Sequence, residues 1–304
     1  MKYSKPPLSI DEQIDLLMRR GLHVPDRPKA YRYLTHINYY RLRIYWFTLE
    51  MPSGEEDDHR FAEGSTFDDV VELYVLDRKL RLLVLEAVER FEVSFRSMLV
   101  NHLAAKHGSH AYLNQTIFKK PETYSKCVEQ LKANLGESKE TFIEHYRNKY
   151  TEPAFPPIWS AFEILSFGDL AKWYQVIRQR SDRQAISKTY NLDEKALNSF
   201  VHHLNHVRNI SAHHGRLWNR HLTITMKIPD HPNDISGCFN RHEDAKYRIY
   251  NTLTMLAYLL KIISPSTTWP QRVKTFIGDF KRVNPSDMGF PDKWESLPIW
   301  SDVS

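Results

Sequence analysis

Apolar positions recur at helical spacing over most of the chain. From Thr66, with Asp69 three residues on, to about Lys106 there is neither glycine nor proline. Across that stretch apolar residues return at Val70, Leu73, Leu76, Leu80, Leu83, Val84, Ala87, Phe91, Phe95, Met98 and Leu99. A Thr-x-x-Asp start followed by this spacing predicts one helix, roughly 60 Å long at about 1.5 Å per residue. Gly108 and Ser109 end it. Upstream, Ser9-Ile10-Asp11-Glu12 has the form of a capping box ahead of Ile14, Leu17 and Met18, and Gly21 closes that short amphipathic helix. Asp26 and Pro28 start a second helix over 31–37. Residues 39–49 mix aromatic and β-branched types and fit a helix or a strand, with helix the preferred reading. The stretch 52–64, with its acidic run 55–58, reads as a solvated loop.

Downstream, helices are expected over 122–135 and 139–149, divided at Gly136. Pro153, Pro156 and Pro157 mark a turn, and 159–165 restarts a helix that Ser166-Phe167-Gly168 interrupts before Asp169 caps the next. The segment 181–184 repeats that capping logic. Residues 193–214 form a clean helix, with Asp193 as N-cap and Gly215 as the residue just past the C-cap. A brief strand or extended arm at 224–228, a closing helix at 243–263 and a proline-punctuated irregular tail complete the pattern. The fold class is therefore all-α: a helical bundle with an N-terminal helical extension (1–60), a core (65–263) and a tail (264–304) packed on that core.

Composition narrows the picture. A chain of 304 residues with 41% hydrophobic residues and 10 glycines can bury a core as one elaborated domain or two packed helical ones. Cys127 and Cys238 lie far apart without a CxxC partner, which argues against a disulfide framework or a cysteine zinc site and suits a reducing cytoplasm. The start lacks the apolar stretch of a signal peptide, and the longest apolar run, 253–263, is broken by Thr254 and Lys261, so no membrane insertion is expected. A net charge of +5, from 42 basic against 37 acidic residues, permits a polyanionic partner without naming one. Aromatic and basic residues interleave at Tyr31-Arg32-Tyr33 and at Tyr39-Tyr40-Arg41-Leu42-Arg43. Rings stack on bases and guanidinium groups hold phosphates, which makes Tyr39, Tyr40, Arg41 and Arg43 candidates for RNA contact. In a chain this rich in aromatics the competing reading is plain core.

The string from His202 to His214 carries the chemistry, with five of the 15 histidines inside it. On a helix, Leu197, Val201, Leu204 and Arg208 share one stripe, while His202, His206, Asn209 and His213 form a polar one. Arg208 therefore points where leucines point. A cation there needs a carboxylate, such as Glu86, Glu89 or Glu163, or must lie at a cleft or interface. His213 by itself suits the negative end of a helix dipole. His202 and His206, four apart, with His213 beyond them, leave a metal site open, though neither an HExxH glutamate nor a nearby cysteine supports it. Trp159, Glu163 and the Ser166-Phe167-Gly168 break read as packing, with a possible Glu163–Arg208 pair.

Arg208, the polar Asn209, three further residues and His213 resemble the Arg, four to six residues, His signature of the HEPN ribonucleases. The wider order is more specific: 37–42 (Ile-Asn-Tyr-Tyr-Arg-Leu), 76–81 (Leu-Asp-Arg-Lys-Leu-Arg), 159–168 and 208–214. It is similar to the Abi-like (AbiD/AbiF type) abortive-infection family of bacterial antiphage proteins, over roughly residues 8–225. The resemblance implies an all-α HEPN core, metal-independent RNA cleavage in phage defence or a toxin-antitoxin arrangement, a homodimeric active site and no cofactor. The implied catalytic set is Arg208, Asn209 and His213, with His214 as the alternative histidine; the implied partners are RNA, a second copy, and a neutralising RNA or protein antitoxin. A non-catalytic RNA-binding or partner-binding helical module is the rival reading.

Overall fold

A computed structural model of the chain describes residue 2 and residues 6–51, 59–280 and 283–301. Among these the secondary structure is helical, with isolated bridges (His23 with Thr66, Glu50 with Phe61, Phe118 with Ile177) in place of any sheet. No described helix is long and apolar enough to cross a membrane. The chain divides into two units, residues 1–80 and 81–304, and the predicted acidic run 55–58 lies outside the described residues.

In the first unit, α1 (Ile10–Arg19) opens with the expected capping box: Ser9 Oγ accepts from the Glu12 backbone N–H while the Glu12 side chain takes the Ser9 N–H. Helix α2 (Arg27–Ile37) starts from Asp26 with Pro28 in its first turn, and α3 (Tyr39–Trp46) follows after a single residue. That junction, Asn38, has φ +75° and an Oδ1 that accepts from the Tyr40 N–H at 2.9 Å, so one side chain caps α3 while the backbone reverses. The weaker preference for a helix at 39–49 therefore holds, with a 3-10 turn (Phe47–Leu49) at its end. Ile14, Leu17, Leu34, Leu42, Tyr45 and Trp46 supply the core, and the Tyr45 hydroxyl donates to Asp77 Oδ2 at 2.8 Å.

Helix α4 (Phe67–His107) contributes to both units and is unbroken, as its spacing predicts; Thr66 and Asp69 cap each other's backbone N–H. The second unit continues with α5 (Pro121–Glu137), α6 (Thr141–Lys149), α7 (Ile158–Ala161), α8 (Phe167–Val176), α9 (Arg180–Lys188), α10 (Glu194–Ala212), α11 (Asn233–Ser236), α12 (Tyr250–Ile263), α13 (Trp269–Gly278) and α14 (Pro298–Ser301). Phe91 of α4 meets Phe95, Phe167, Tyr190 and Phe200 with ring centroids 5.6 to 6.1 Å apart. Because Phe200 meets Phe91 while the Gly215 carbonyl lies 3.5 Å from Arg81 Nη1, α10 runs antiparallel to α4.

Several predicted boundaries move, each for a local reason. Helix α5 passes through Gly136 because Leu131 and Leu135 anchor its last turns in the core. Helix α8 is capped by Ser166, not Asp169: Ser166 Oγ accepts the Asp169 N–H and its hydroxyl donates to Asp169 Oδ2. Helix α9 begins after Gln179 without a side-chain cap, since the acid of the predicted cap segment, Asp182, turns inward. The stretch 224–228 is an arm, held by a Lys227 N–H to Ser199 Oγ bond. The closing helix is split, because the Tyr247 carbonyl accepts from Leu222 N–H and leaves a 3-10 segment (Glu243–Tyr247) ahead of α12. The tail is partly helical. Pro270 sits in the first turn of α13, where its missing N–H costs nothing, and Trp269 Nε1 donates to the Leu83 carbonyl at 2.9 Å.

Asp182 is the most demanding buried group of the second unit, its side chain fully shielded from solvent. His102 Nε2 lies 3.0 Å from its Oδ1 and His107 Nε2 lies 3.0 Å from its Oδ2, and Lys106 donates to Oδ1. Burial acts to raise the pKa, but the hydrogen bonds from Lys106, His102 and His107 override it and hold the carboxyl at about 2, below the ordinary 3.8. A carboxyl that ionises more readily folded than unfolded stabilises fully above pH 3.8 and loses that contribution as pH falls toward 2. Asp182→Asn is expected to cost about 3 kcal/mol at neutral pH, because it strands three donors around an uncharged amide. Urea unfolding at pH 7 measures it, and the gap between variant and wild type should narrow on acidification.

Candidate functional site

Helix α10 is built as its sequence spacing requires. Asp193 caps it by accepting the Lys195 N–H at 2.8 Å, and Leu197, Val201 and Leu204 are buried on one stripe. Arg208 continues that stripe and is half-buried. Its Nη1 donates to Asn209 Oδ1 at 3.3 Å, and among the described residues no carboxylate lies within 4.0 Å ion-pair distance of it. Of the three acids expected to neutralise it, Glu86 pairs with Arg90 and Arg272 and Glu163 pairs with Arg96, while Glu89 makes no ion pair with it.

One acid within electrostatic reach of Arg208 is Glu92, which the spacing argument did not single out. Burial raises its pKa, and Arg96 and Arg208 oppose that rise. Arg96 is committed through both terminal nitrogens, with Nη2 on Glu92 Oε1 at 3.1 Å and on the Leu165 carbonyl at 2.9 Å, and Nη1 on Glu163 Oε2 at 3.3 Å. One guanidinium is thus locked in ion pairs while its neighbour, Arg208, keeps its fork. The sequence signal for Glu92 and Arg96 was their spacing of four on one helix, the geometry of an intrahelical pair.

The end of α10 differs from the predicted one by two residues. The helix stops at Ala212, His213 is its C-cap, and His214 takes the left-handed conformation, φ +58°, that was assigned to Gly215. Gly215 N–H bonds Ile210 O at 2.7 Å and His214 N–H bonds Ser211 O at 3.1 Å, the paired bonds of a Schellman turn. Gly215, one place later, is crowded for another reason. A Cβ there would stand 3.0 Å from Ile210 Cγ2 and 3.1 Å from its carbonyl oxygen. His213 and His214 are both exposed. The His213 N–H bonds the Asn209 carbonyl at 3.0 Å, but among the described residues no side-chain bond joins Asn209 to His213; the Asn209 oxygen serves Arg208 instead. Gly168, in the break read as packing, lies against α10, where a Cβ would come 3.2 Å from Asn205 Oδ1.

The histidines of this helix diverge. His203 is core: Nδ1 lies 2.6 Å from the Ile224 carbonyl and Nε2 lies 2.7 Å from Thr252 Oγ1. His206 Nε2 meets Thr223 Oγ1 at 3.3 Å, with its pKa lowered by burial and Arg220, and His202 is exposed. Among the described residues no three His, Cys, Asp or Glu side chains gather as metal ligands. In the other unit Tyr39, Tyr40 and Arg43 line one cavity, together with Arg20, Asn38 and His59, while Arg41 is not on its wall.

The end of this helix thus carries a half-buried arginine that has no ion pair among the described residues, next to an amide and two exposed histidines. The family model for Abi-like proteins matches residues 32–219, well over half of the chain, and the protein belongs to that family. No curated protein and no solved structure matches it significantly.

Burial lowers the His203 pKa from 6.5 to about 4, so the folded protein keeps it neutral. The unfolded chain takes up that proton first, and the stability His203 sustains above pH 6.5 is lost as pH falls toward 4. His203→Gln is expected to flatten this acid limb while lowering stability at pH 7 by roughly 1–3 kcal/mol, as followed by denaturation midpoints from pH 7 to pH 4.

Proposed function

We propose that the protein is a metal-independent endoribonuclease of abortive-infection defence whose active centre contains Arg208, Asn209 and His213. The observation that carries this reading is the unpaired guanidinium. A half-buried cation with no carboxylate in contact is disfavoured unless an anion completes it, and a phosphate offers two oxygens to its planar fork. Family membership supports a role in defence, and the Arg–x4–His spacing on an all-α scaffold supports the HEPN resemblance.

The chemistry follows from these groups. The RNA 2′-oxygen attacks the adjacent phosphorus as the bond from phosphorus to the 5′-oxygen breaks, leaving a 2′,3′-cyclic phosphate and a 5′-hydroxyl. One group must take the 2′-hydroxyl proton and another must protonate the 5′-oxygen. Arg208 holds the non-bridging oxygens as their charge grows, and Asn209, bonded to Arg208 Nη1, keeps the fork aimed. Imidazole as a group, with a reference pKa of ~6.5, can act as base or acid. A single histidine does not fill both roles in one step, so two copies related by a two-fold axis, each donating His213, complete the set. His214 is the alternative imidazole, since both rings are exposed at the same turn.

Purified protein incubated with RNA in EDTA is expected to produce cyclic phosphate ends. Arg208→Ala and His213→Ala should each reduce the rate by at least ~10²-fold. Equal cutting by both variants would move the site elsewhere, and tight RNA binding without any cutting would favour the non-catalytic module.

A further inference from the structure

The first unit contains a cavity of about 360 Å³ that the cleavage chemistry does not use. From its lining and charge we infer that it binds one nucleotide unit, an aromatic base with its phosphate.

The wall is two-sided. Pro7, Leu8 and Leu16 supply apolar surface, and Arg20 and Arg43 supply cations, with Tyr39 and Tyr40 between. Among the described residues no carboxylate lines it. Tyr40 is 68% exposed, an unusual state for a ring whose neighbours in α3 go to the core. Tyr39 packs edge-on against it at 5.8 Å and is itself edge-on to Trp46 at 4.8 Å. A ring with an open face is what stacking on a base requires.

The two cations are oriented without being neutralised. Arg20 Nη1 donates to the Tyr39 hydroxyl at 3.2 Å, and Arg43 Nη2 lies 3.0 Å from His59 Nε2. An arginine only donates, so His59 Nε2 accepts, and the ring proton sits on Nδ1 and points at Glu50 Oε2, 3.2 Å away. Glu50 therefore acts through a neutral imidazole, and among the described residues neither arginine has a carboxylate within 4.0 Å. The opposing wall carries Gln13, whose Oε1 is buried without a donor while its amide nitrogen donates to the Leu8 carbonyl. That leaves an acceptor beside the apolar surface where the base would lie. The volume suits one small ligand, which separates this site from a groove that tracks many phosphates.

Two sources present this chemistry, a residue of single-stranded RNA and a free nucleotide. The test uses the full chain carrying Arg208→Ala, so that RNA stays intact whether or not the nuclease reading holds. Fluorescence anisotropy with a labelled single-stranded octanucleotide is compared across added Tyr40→Ala, Arg43→Ala and Arg20→Ala, with unlabelled AMP and UMP as competitors. Each of the three changes is expected to weaken binding about ten-fold. The arginine changes should also reduce the slope of log affinity against log salt by about 0.7. Tyr40 is exposed, so its removal leaves the melting curve unchanged and guards against a folding artefact. Competition by a mononucleotide at concentrations near those of the octanucleotide assigns the free ligand; its failure, with the octanucleotide still bound through Tyr40, assigns the strand. Undiminished binding in Tyr40→Ala and Arg43→Ala together, or no binding of either probe, overturns the inference.

Discussion

Phe91 is the contact on which the second unit turns. Four other rings, from α4, α8, α10 and the chain after α9, close around it, and a core aromatic of this kind is worth about 3–5 kcal/mol against alanine. Its consequence is positional. Phe200 is fixed against Phe91, and Arg81 meets Gly215, so Arg208 is fixed between those two levels and cannot slide toward a carboxylate further along α4. The charge pattern of that helix then decides its surroundings: Glu92 is within electrostatic reach but bonded to Arg96, and Glu86 is occupied by Arg90 and Arg272. Packing sets the register, and the register leaves a cation without an ion pair.

Much of this was legible from residue spacing alone. The long α4, the capping box of α1 and the N-cap of α10 were readable because each rests on contacts between residues three or four apart. What misled was chemistry that acts at a distance. Ser166 and Asp169 both look like caps, and only their mutual bond shows which one starts α8. Asp182 resembled part of a surface cap, yet it is claimed by two histidines and a lysine of α4, some 75 to 80 positions away in the chain. The proline-rich tail looked irregular because Pro270 breaks a helix in its middle but not in its first turn.

The candidate sites show the same division. Arg208 with Asn209, and Tyr39 with Tyr40 and Arg43, are local groupings and were visible as such. Arg20 and His59 were not, because only the folding of α1 and of the chain after Leu49 brings them to α3. The crowd of five histidines along and just past α10 was the least informative feature, since one is structural, one bonds the Thr223 hydroxyl, one faces solvent and two stand at the terminus. Both sites share one physical device, a guanidinium oriented by a neutral hydrogen-bond partner: an amide for Arg208, an imidazole for Arg43. A neutral partner fixes direction and leaves the charge to be balanced by whatever enters.

The turn after α10 has a cost built into it. His214 occupies a backbone region where a β-carbon collides with the following carbonyl, a penalty of about 1 kcal/mol that glycine escapes. The glycine is only one step further on, in a place where a β-carbon would crowd Ile210. Exchanging the imidazole at 214 for a hydrogen would relax the helix terminus, so at this corner resilience and side-chain chemistry draw on the same residue, and a sturdier protein would be one with a ring fewer to offer.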